Sequence, residues 1–249
     1  MIRLILGNVG SGKTAFAVRE MCLNPTKRTT YSNIQTSLKN QIDISPEMII
    51  KREIVDYKKN KKTGDKEPVY KYALNIEYWK KIKDPINVIL DEAHTILNAR
   101  RAMSKTNIVV SDWLALIRRV LGQSDSGSGE VTFISQLSNR IDVIAREMST
   151  NIIYTICHYI KTCKECETSW TENSEMPEGY NVCPRCHSIK LLKHNYRIEV
   201  WHFANIQRFT LWHQMGQRTY YRRYFVNDIE DYFPLYNTLQ WDNMFSSFY

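Results

Sequence analysis

The sequence predicts an α/β protein built on a mainly parallel central sheet, and three observations carry that expectation. Strand-like and helix-like runs alternate along the N-terminal part of the chain. Several short apolar runs lack the polar alternation of a half-exposed strand, as strands covered on both faces do. The first strand passes into the first helix through a glycine-rich turn, the connection that opens a parallel unit.

Taken in order, "IRLILG" (2–7) reads as a strand, "NVGSG" (8–12) as a turn, and "KTAFAVREMCL" (13–23) as a helix stopped by Asn24 and Pro25. "RTTYSNIQ" (28–35) is a second strand. "IIKREIV" (49–55) and "VYKYALNI" (69–76) have partial strand alternation and flank Thr63-Gly64-Asp65, which is turn chemistry, so they predict a hairpin. "INVILDEAH" (86–94) is a buried strand ending in two acids. Ser111 and Asp112 could cap a helix in which Trp113, Leu116, Ile117, Val120 and Leu121 recur at helical spacing. "GQSDSGSGE" (122–130) reads as a flexible loop, "VTFISQ" (131–136) as a buried strand, "RIDVIAREM" (140–148) as a helix and "NIIYTIC" (151–157) as a further strand.

A chain of 249 residues that is 43% hydrophobic can bury a substantial core. No apolar run approaches the roughly 18 residues that cross a bilayer, and no secretory leader is evident, so the expectation is a soluble protein of the cytoplasm, with virion association as a variant. The formal charge of +8 favours polyanionic partners. Its source is local: residues 1–110 hold 20 Lys/Arg against 11 Asp/Glu, most densely in "YKKNKKTGDK" (57–66) at the hairpin tip. That tip reads first as a solvated turn and second as a phosphate contact.

Gly7, Asn8, Val9, Gly10, Ser11, Gly12, Lys13 and Thr14 spell G-x-x-x-x-G-K-[ST] in a strand-turn-helix context. Glycines let successive backbone N–H groups point at phosphate oxygens, and the following helix adds the field of its N-terminus. Lys13 is expected to reach the β- and γ-phosphates of ATP, and Thr14 to ligate Mg²⁺. Asp91 and Glu92 end a buried strand, where parallel sheets collect ligands. Asp91 suits the magnesium, and Glu92 suits the role of general base for water. Gln136 ends another buried strand, where its amide could bridge the γ-phosphate and the attacking water; the alternative is an ordinary strand-end glutamine.

"GNVGSGKT", "VILDEAH", "RRVLG" (118–122) and "TFISQLSNRID" (132–142) occur in the order seen in the FtsK/HerA superfamily of ring ATPases. The chain most resembles that superfamily's viral genome-packaging members and the ATPase domain of zonula-occludens-toxin-like phage proteins. The resemblance implies a RecA-like P-loop NTPase fold, a homo-oligomeric ring expected as a hexamer, and ATP-driven movement of double-stranded DNA. It implies Gln136 as the strand-end glutamine and Arg119 as the arginine acting on a neighbour's ATP, with Arg118, Arg140 and Arg146 as alternates. "YFPLYNT" (232–238) resembles the tail segment of viral members. The resemblance covers residues 1–156 and, more weakly, 196–249. Toxin-like members usually carry a membrane span after the ATPase, which this sequence lacks, so packaging with a capsid vertex or portal partner is favoured over extrusion.

Cys163, Cys166, Cys183 and Cys186 form two C-x₂-C pairs at the separation of a small zinc ribbon. Two disulfides are the alternative. Cys22 and Cys157 read as buried or incidental thiols. The expected organisation is an ATPase core over 1–156, a zinc-ribbon insertion over 157–195, and over 196–249 a segment that completes the core and ends in an aromatic tail. Those aromatics are expected to pack rather than to stack on nucleic acid. Two other functions remain open at this point: a nucleotide-regulated virion assembly, scaffold or extrusion protein, and a zinc-ribbon nucleic-acid-binding regulator.

Overall fold

The computed structural model describes residues 1–24, 27–59, 64–93, 108–109, 112–113, 121, 123–124, 127–136, 141, 143–175 and 182–237. Along them run β1 (Ile2–Leu6), α1 (Lys13–Leu23), β2 (Thr30–Ser32), β3 (Gln41–Asp43), α2 (Pro46–Ile49), β4 (Ile50–Lys59), β5 (Lys66–Leu74), α3 (Ile76–Lys80) and β6 (Asn87–Leu90). Then come β7 (Gln123–Ser124), β8 (Gly127–Ser128), β9 (Glu130–Ser135), α4 (Val143–Glu147), β10 (Asn151–Cys163), β11 (Ser169–Asn173), β12 (Leu191–Phe203), α5 (Ile206–Met215), β13 (Arg222–Val226) and a 3₁₀ helix (Ile229–Leu235).

The main sheet has the order β13-β12-β10-β1-β9-β6-β2-β3, with β11 added beside β10. From β10 to β3 every pairing is parallel, while β11, β12 and β13 are antiparallel. One strand, β9, therefore separates β1 from β6. The ends of β1, β9 and β6 stand side by side on the carboxyl edge of the sheet.

Alternation along the central strands explains their largely apolar sequences. Leu4 and Leu6 of β1, Val88 and Leu90 of β6, Val131 and Phe133 of β9, and Ile152 and Tyr154 of β10 enter one core cluster with Trp79, Trp113 and Phe209. Ile5, Ile89, Ile134 and Ile153, one residue out of phase, enter a second cluster with Phe16 and Val18 of α1 and Ile229. Side chains of a strand point to opposite faces, so a sheet covered on both sides is apolar at most positions of both faces; Arg3 of β1 is accommodated by ion pairs with Glu20 and Glu130. The result is a mixed, mostly parallel sheet between helices, the architecture of an α/β P-loop NTPase.

The expected helix over 13–23 and the strands at 2–6, 30–32 and 87–90 are present, as is the hairpin, formed by β4 and β5. Two readings change. "GQSDSGSGE" contains a two-residue ladder, β7 with β8, in a segment read as a loop. The strand beginning at Asn151 does not stop at Cys157 but runs to Cys163, because β12 pairs with it over almost its whole length. The helix expected after Ser111 lies largely outside the described residues. In the C-terminal segment Trp201, Phe203, Phe209 and Trp212 pack on one another with centroid separations of 5.0 to 6.2 Å, as aromatic core clusters do. Among the described residues no helix is long and apolar enough to cross a membrane.

Candidate functional site: the phosphate loop and a four-cysteine cluster

The turn after β1 is shaped by two glycines for different reasons. A Cβ on Gly7 would lie 2.3 Å from Ser11 Oγ and 2.6 Å from the Thr155 carbonyl oxygen, so only glycine allows β10 to approach this closely. Gly12 caps α1 in the left-handed region, at φ 80°, and its missing Cβ leaves room for Ile198 Cδ1 of β12. The loop is also tied to β10 through its own side chain, Ser11 Oγ lying 3.1 Å from Thr155 Oγ1, both fully buried.

Lys13 is only 8% exposed, and its ammonium donates to the carbonyl oxygens of Gly7 at 3.0 Å and Asn8 at 2.8 Å. Burial lowers its pKa, and the nearby Asp91 and Glu92 oppose that shift. The loop thus curls around a cation desolvated within it, which is the electrostatic requirement for holding an anionic oxygen cluster.

Thr14, the next residue on α1, donates its hydroxyl proton to Asp91 Oδ2 at 2.6 Å, although β9 separates β1, which leads into α1, from β6, which leads to Asp91. Burial pushes the Asp91 carboxyl up, while the Thr14 hydroxyl and the Glu92 N–H pull it down. Two oxygen donors in contact are a donor set suited to a hard divalent cation such as magnesium. Glu92 is exposed and sits in the left-handed region at φ 49°, its N–H bonded to Asp91 Oδ1 at 2.7 Å. Gln136 follows β9 directly and is half-buried, on the strand between those that end at Gly7 and Asp91.

Asn33, which the sequence reading passed over as the middle of a strand, lies just past β2 and clamps the end of β6. Its Nδ2 donates to the Asp91 carbonyl oxygen at 2.9 Å, and its Oδ1 accepts from the Asp91 N–H at 2.7 Å. Thr155 and Ile198 were missed as well, since their contacts with the loop span more than 140 residues. Tyr236 of "YFPLYNT" forms a bridge with Thr36, and burial, with Asp91 and Cys157 nearby, pushes its phenol up to about 12. Arg119, Arg118 and Arg140 lie outside the described residues. Arg146 closes α4, the helix just before β10, so it stands at the amino edge of the sheet, away from its own phosphate loop.

The four cysteines converge at the far end of β10 and β12. Their Sγ atoms lie within 4.8 Å of one another, and Cys163–Cys186 and Cys166–Cys183 are 3.5 Å apart. A disulfide needs about 2.05 Å, whereas sulfurs on a tetrahedron of about 2.3 Å zinc bonds sit roughly 3.8 Å apart. The two pairs also repeat one backbone design. Glu165 N–H and Arg185 N–H each donate to the first sulfur of their pair at 3.4 Å. Glu167 and His187 each turn left-handed, at φ 57° and 58°, and donate back to the first cysteine's carbonyl oxygen. Cys157 is buried and Cys22 half-buried, both apart from this cluster.

Among solved structures, the chain is similar to the N-terminal domain of zonular occludens toxin from Neisseria meningitidis, at 16% identity and TM-score 0.47, covering 95% of this chain and 98% of that one. It is also similar to the genome packaging NTPase B204 of Sulfolobus turreted icosahedral virus 2 in complex with ATP-gammaS, at 15% identity and TM-score 0.36, over 61% of this chain and 74% of that one. No curated protein matches it. The family model described as zonular occludens toxin (Zot) matches residues 1–156. That match takes in the phosphate loop, the paired acids and Gln136, and since it spans more than half of the 249 residues, the chain belongs to the zonular occludens toxin family.

Proposed function

We propose that the protein is an ATP-hydrolysing motor that works as a homo-oligomeric ring and moves DNA in the assembly of a virus. The observation that carries this reading is the Thr14–Asp91 hydrogen bond at 2.6 Å beside the buried Lys13, which joins the end of β6 to the phosphate loop across β9. In this reading the loop N–H groups and Lys13 hold the triphosphate, and Thr14 and Asp91 hold magnesium, which contributes positive charge to the β- and γ-phosphates. Glu92 takes a proton from the attacking water, and Gln136 orients that water. Arg119 serves a neighbouring subunit's nucleotide. A binding switch would need the loop, but not an acid next to the metal-side aspartate. That difference favours hydrolysis over the scaffold alternative.

The same proposal assigns 1–156 and 196–249 to the ATPase core and 157–195 to a zinc ribbon in which the four cysteines hold one structural ion. The duplex form of the DNA, the capsid vertex or portal partner, and the RecA-like FtsK/HerA lineage rest on the motif resemblance. The test is phosphate release from ATP by the purified chain with and without DNA. DNA-stimulated release that Glu92→Gln abolishes, with nucleotide binding retained, supports the motor; no release under any DNA or salt condition rejects it.

A further inference from the structure

The β4–β5 hairpin leaves the domain between β3 and β6, and its two faces differ in a way the sequence does not display. Ile50 pairs with Leu74 at the root, Arg52 with Tyr72 and Ile54 with Tyr70. A bulge at Val55 then shifts the register, so that Asp56 pairs with Val69, Tyr57 with Pro68, Lys58 with Glu67 and Lys59 with Lys66. Directly opposed residues share a face, and the extra residue flips the parity of the outer half of β4. Without the bulge Tyr57 and Lys59 would stand on the other side.

One face therefore bears Lys51, Glu53, Asp56, Lys58, Glu67 and Lys71, a balanced set with Lys58 facing Glu67 and Glu53 facing Lys71. The other carries Arg52, Lys59 and Lys66 with no acid along the two strands, interleaved with Ile54, Tyr57, Pro68 and Tyr70. Ile54 and Tyr57 are exposed, at 52% and 57%, and the Arg52 guanidinium lies 4.5 Å over the Tyr70 ring. Lys59 and Lys66 stand directly opposite each other, a like-charge pairing that costs stability unless an anion lies between them.

We infer that this face binds single-stranded DNA. The inference rests on the DNA-motor reading, names the surface that meets the DNA, and replaces the duplex of the motif resemblance with a single strand. Its cations match a phosphodiester backbone, and the exposed tyrosine and aliphatic surface matches unstacked bases. A duplex hides its base faces and would engage the cations alone.

The experiment measures binding of a fluorescein-labelled oligothymidylate, and of a duplex of the same length, to the full chain without nucleotide across a salt series. Tyr57→Ala is expected to weaken the single strand on the order of tenfold, the range of one base–aromatic stack, with the melting temperature unchanged. Lys59→Gln should weaken it and reduce the salt slope by about 0.7, while its sequence neighbour Lys58→Gln, on the balanced face, should not. Equal effects of Lys58→Gln and Lys59→Gln, no effect of Tyr57→Ala, or tighter binding of the duplex would each overturn the proposal. Because no nucleotide is present, failure of ATP hydrolysis would leave this result standing, and loss of strand binding would leave phosphate release in the absence of DNA unaffected.

Discussion

Asn33 grips the backbone of Asp91 on both sides, donating to its carbonyl oxygen at 2.9 Å and accepting from its N–H at 2.7 Å. The amide thereby fixes the direction in which β6 delivers Asp91 and Glu92. Replacing Asn33 by Ala removes two hydrogen bonds of about 1 kcal/mol each and frees the strand end. The expected outcome is a fall in kcat of roughly tenfold or more with little change in nucleotide affinity, since the phosphate loop keeps its own contacts. An unchanged kcat in steady-state phosphate release would count against a positioning role for Asn33.

Asp91→Asn separates stability from function. Burial raises the Asp91 carboxyl above its ordinary 3.8, so the native state holds that proton more tightly than the unfolded chain. Stability is therefore lost as pH rises from the unfolded pKa through the raised native one, and the full cost is present above it. The asparagine lacks that cost, and with its one amide oxygen accepting from Thr14 it gives up only the bond from the Glu92 N–H. Without nucleotide it should melt higher than the parent at neutral pH, by roughly 2–4 °C per kcal/mol, and the advantage should vanish in acid below the unfolded pKa. Magnesium-dependent ATP binding should be lost. Differential scanning fluorimetry across pH, with and without Mg·ATP, reads both effects.

Glu92 occupies a left-handed conformation at φ 49° that costs a residue with a side chain roughly 1–2 kcal/mol. Glu92→Gly should raise the melting temperature by relieving it, whereas Glu92→Gln should leave it unchanged. Both should reduce hydrolysis at least about 100-fold, the contribution of a general base. If the glycine variant melted lower, the backbone strain would not be real.

The four-cysteine cluster should bind one zinc ion per chain by elemental analysis, and Cys163→Ser should lower that content. Zinc removal should erase hydrogen-exchange protection at the outer rungs of β10 and β12, such as Thr162 with Leu192. The inner rungs, such as Ile153 with His202, should stay protected by the sheet core. Chelation that altered neither metal content nor outer-rung exchange would remove the metal from the account.

What the sequence made legible was local or strictly periodic. Gly7 to Thr14 carry their turn in consecutive residues, and β1, β6 and β9 announce burial by largely apolar runs, of which β6 and β9 lead to the polar residues Asp91 and Gln136. The cysteine pairs are likewise legible from spacing. Illegible were the relations that pairing creates. Thr155 lies 144 residues from Ser11, and Asn33 lies 58 from Asp91. The Val55 bulge changes which side chains share a face without altering composition at all. The length of β10 was underread because its outer half, Cys157 to Cys163, is held by β12 and not by a recognisable apolar pattern of its own.

Gly12 accommodates the tip of Ile198, and Ser11 meets Thr155, so the phosphate loop rests against both strands of the pair that ends in the cysteine cluster. From Thr155 to Cys163 that pair extends about 26 Å at strand rise. A change in the shape of the loop would therefore bear first on Thr155 and Ile198, one residue of each strand in the pair that leads out to the cysteines.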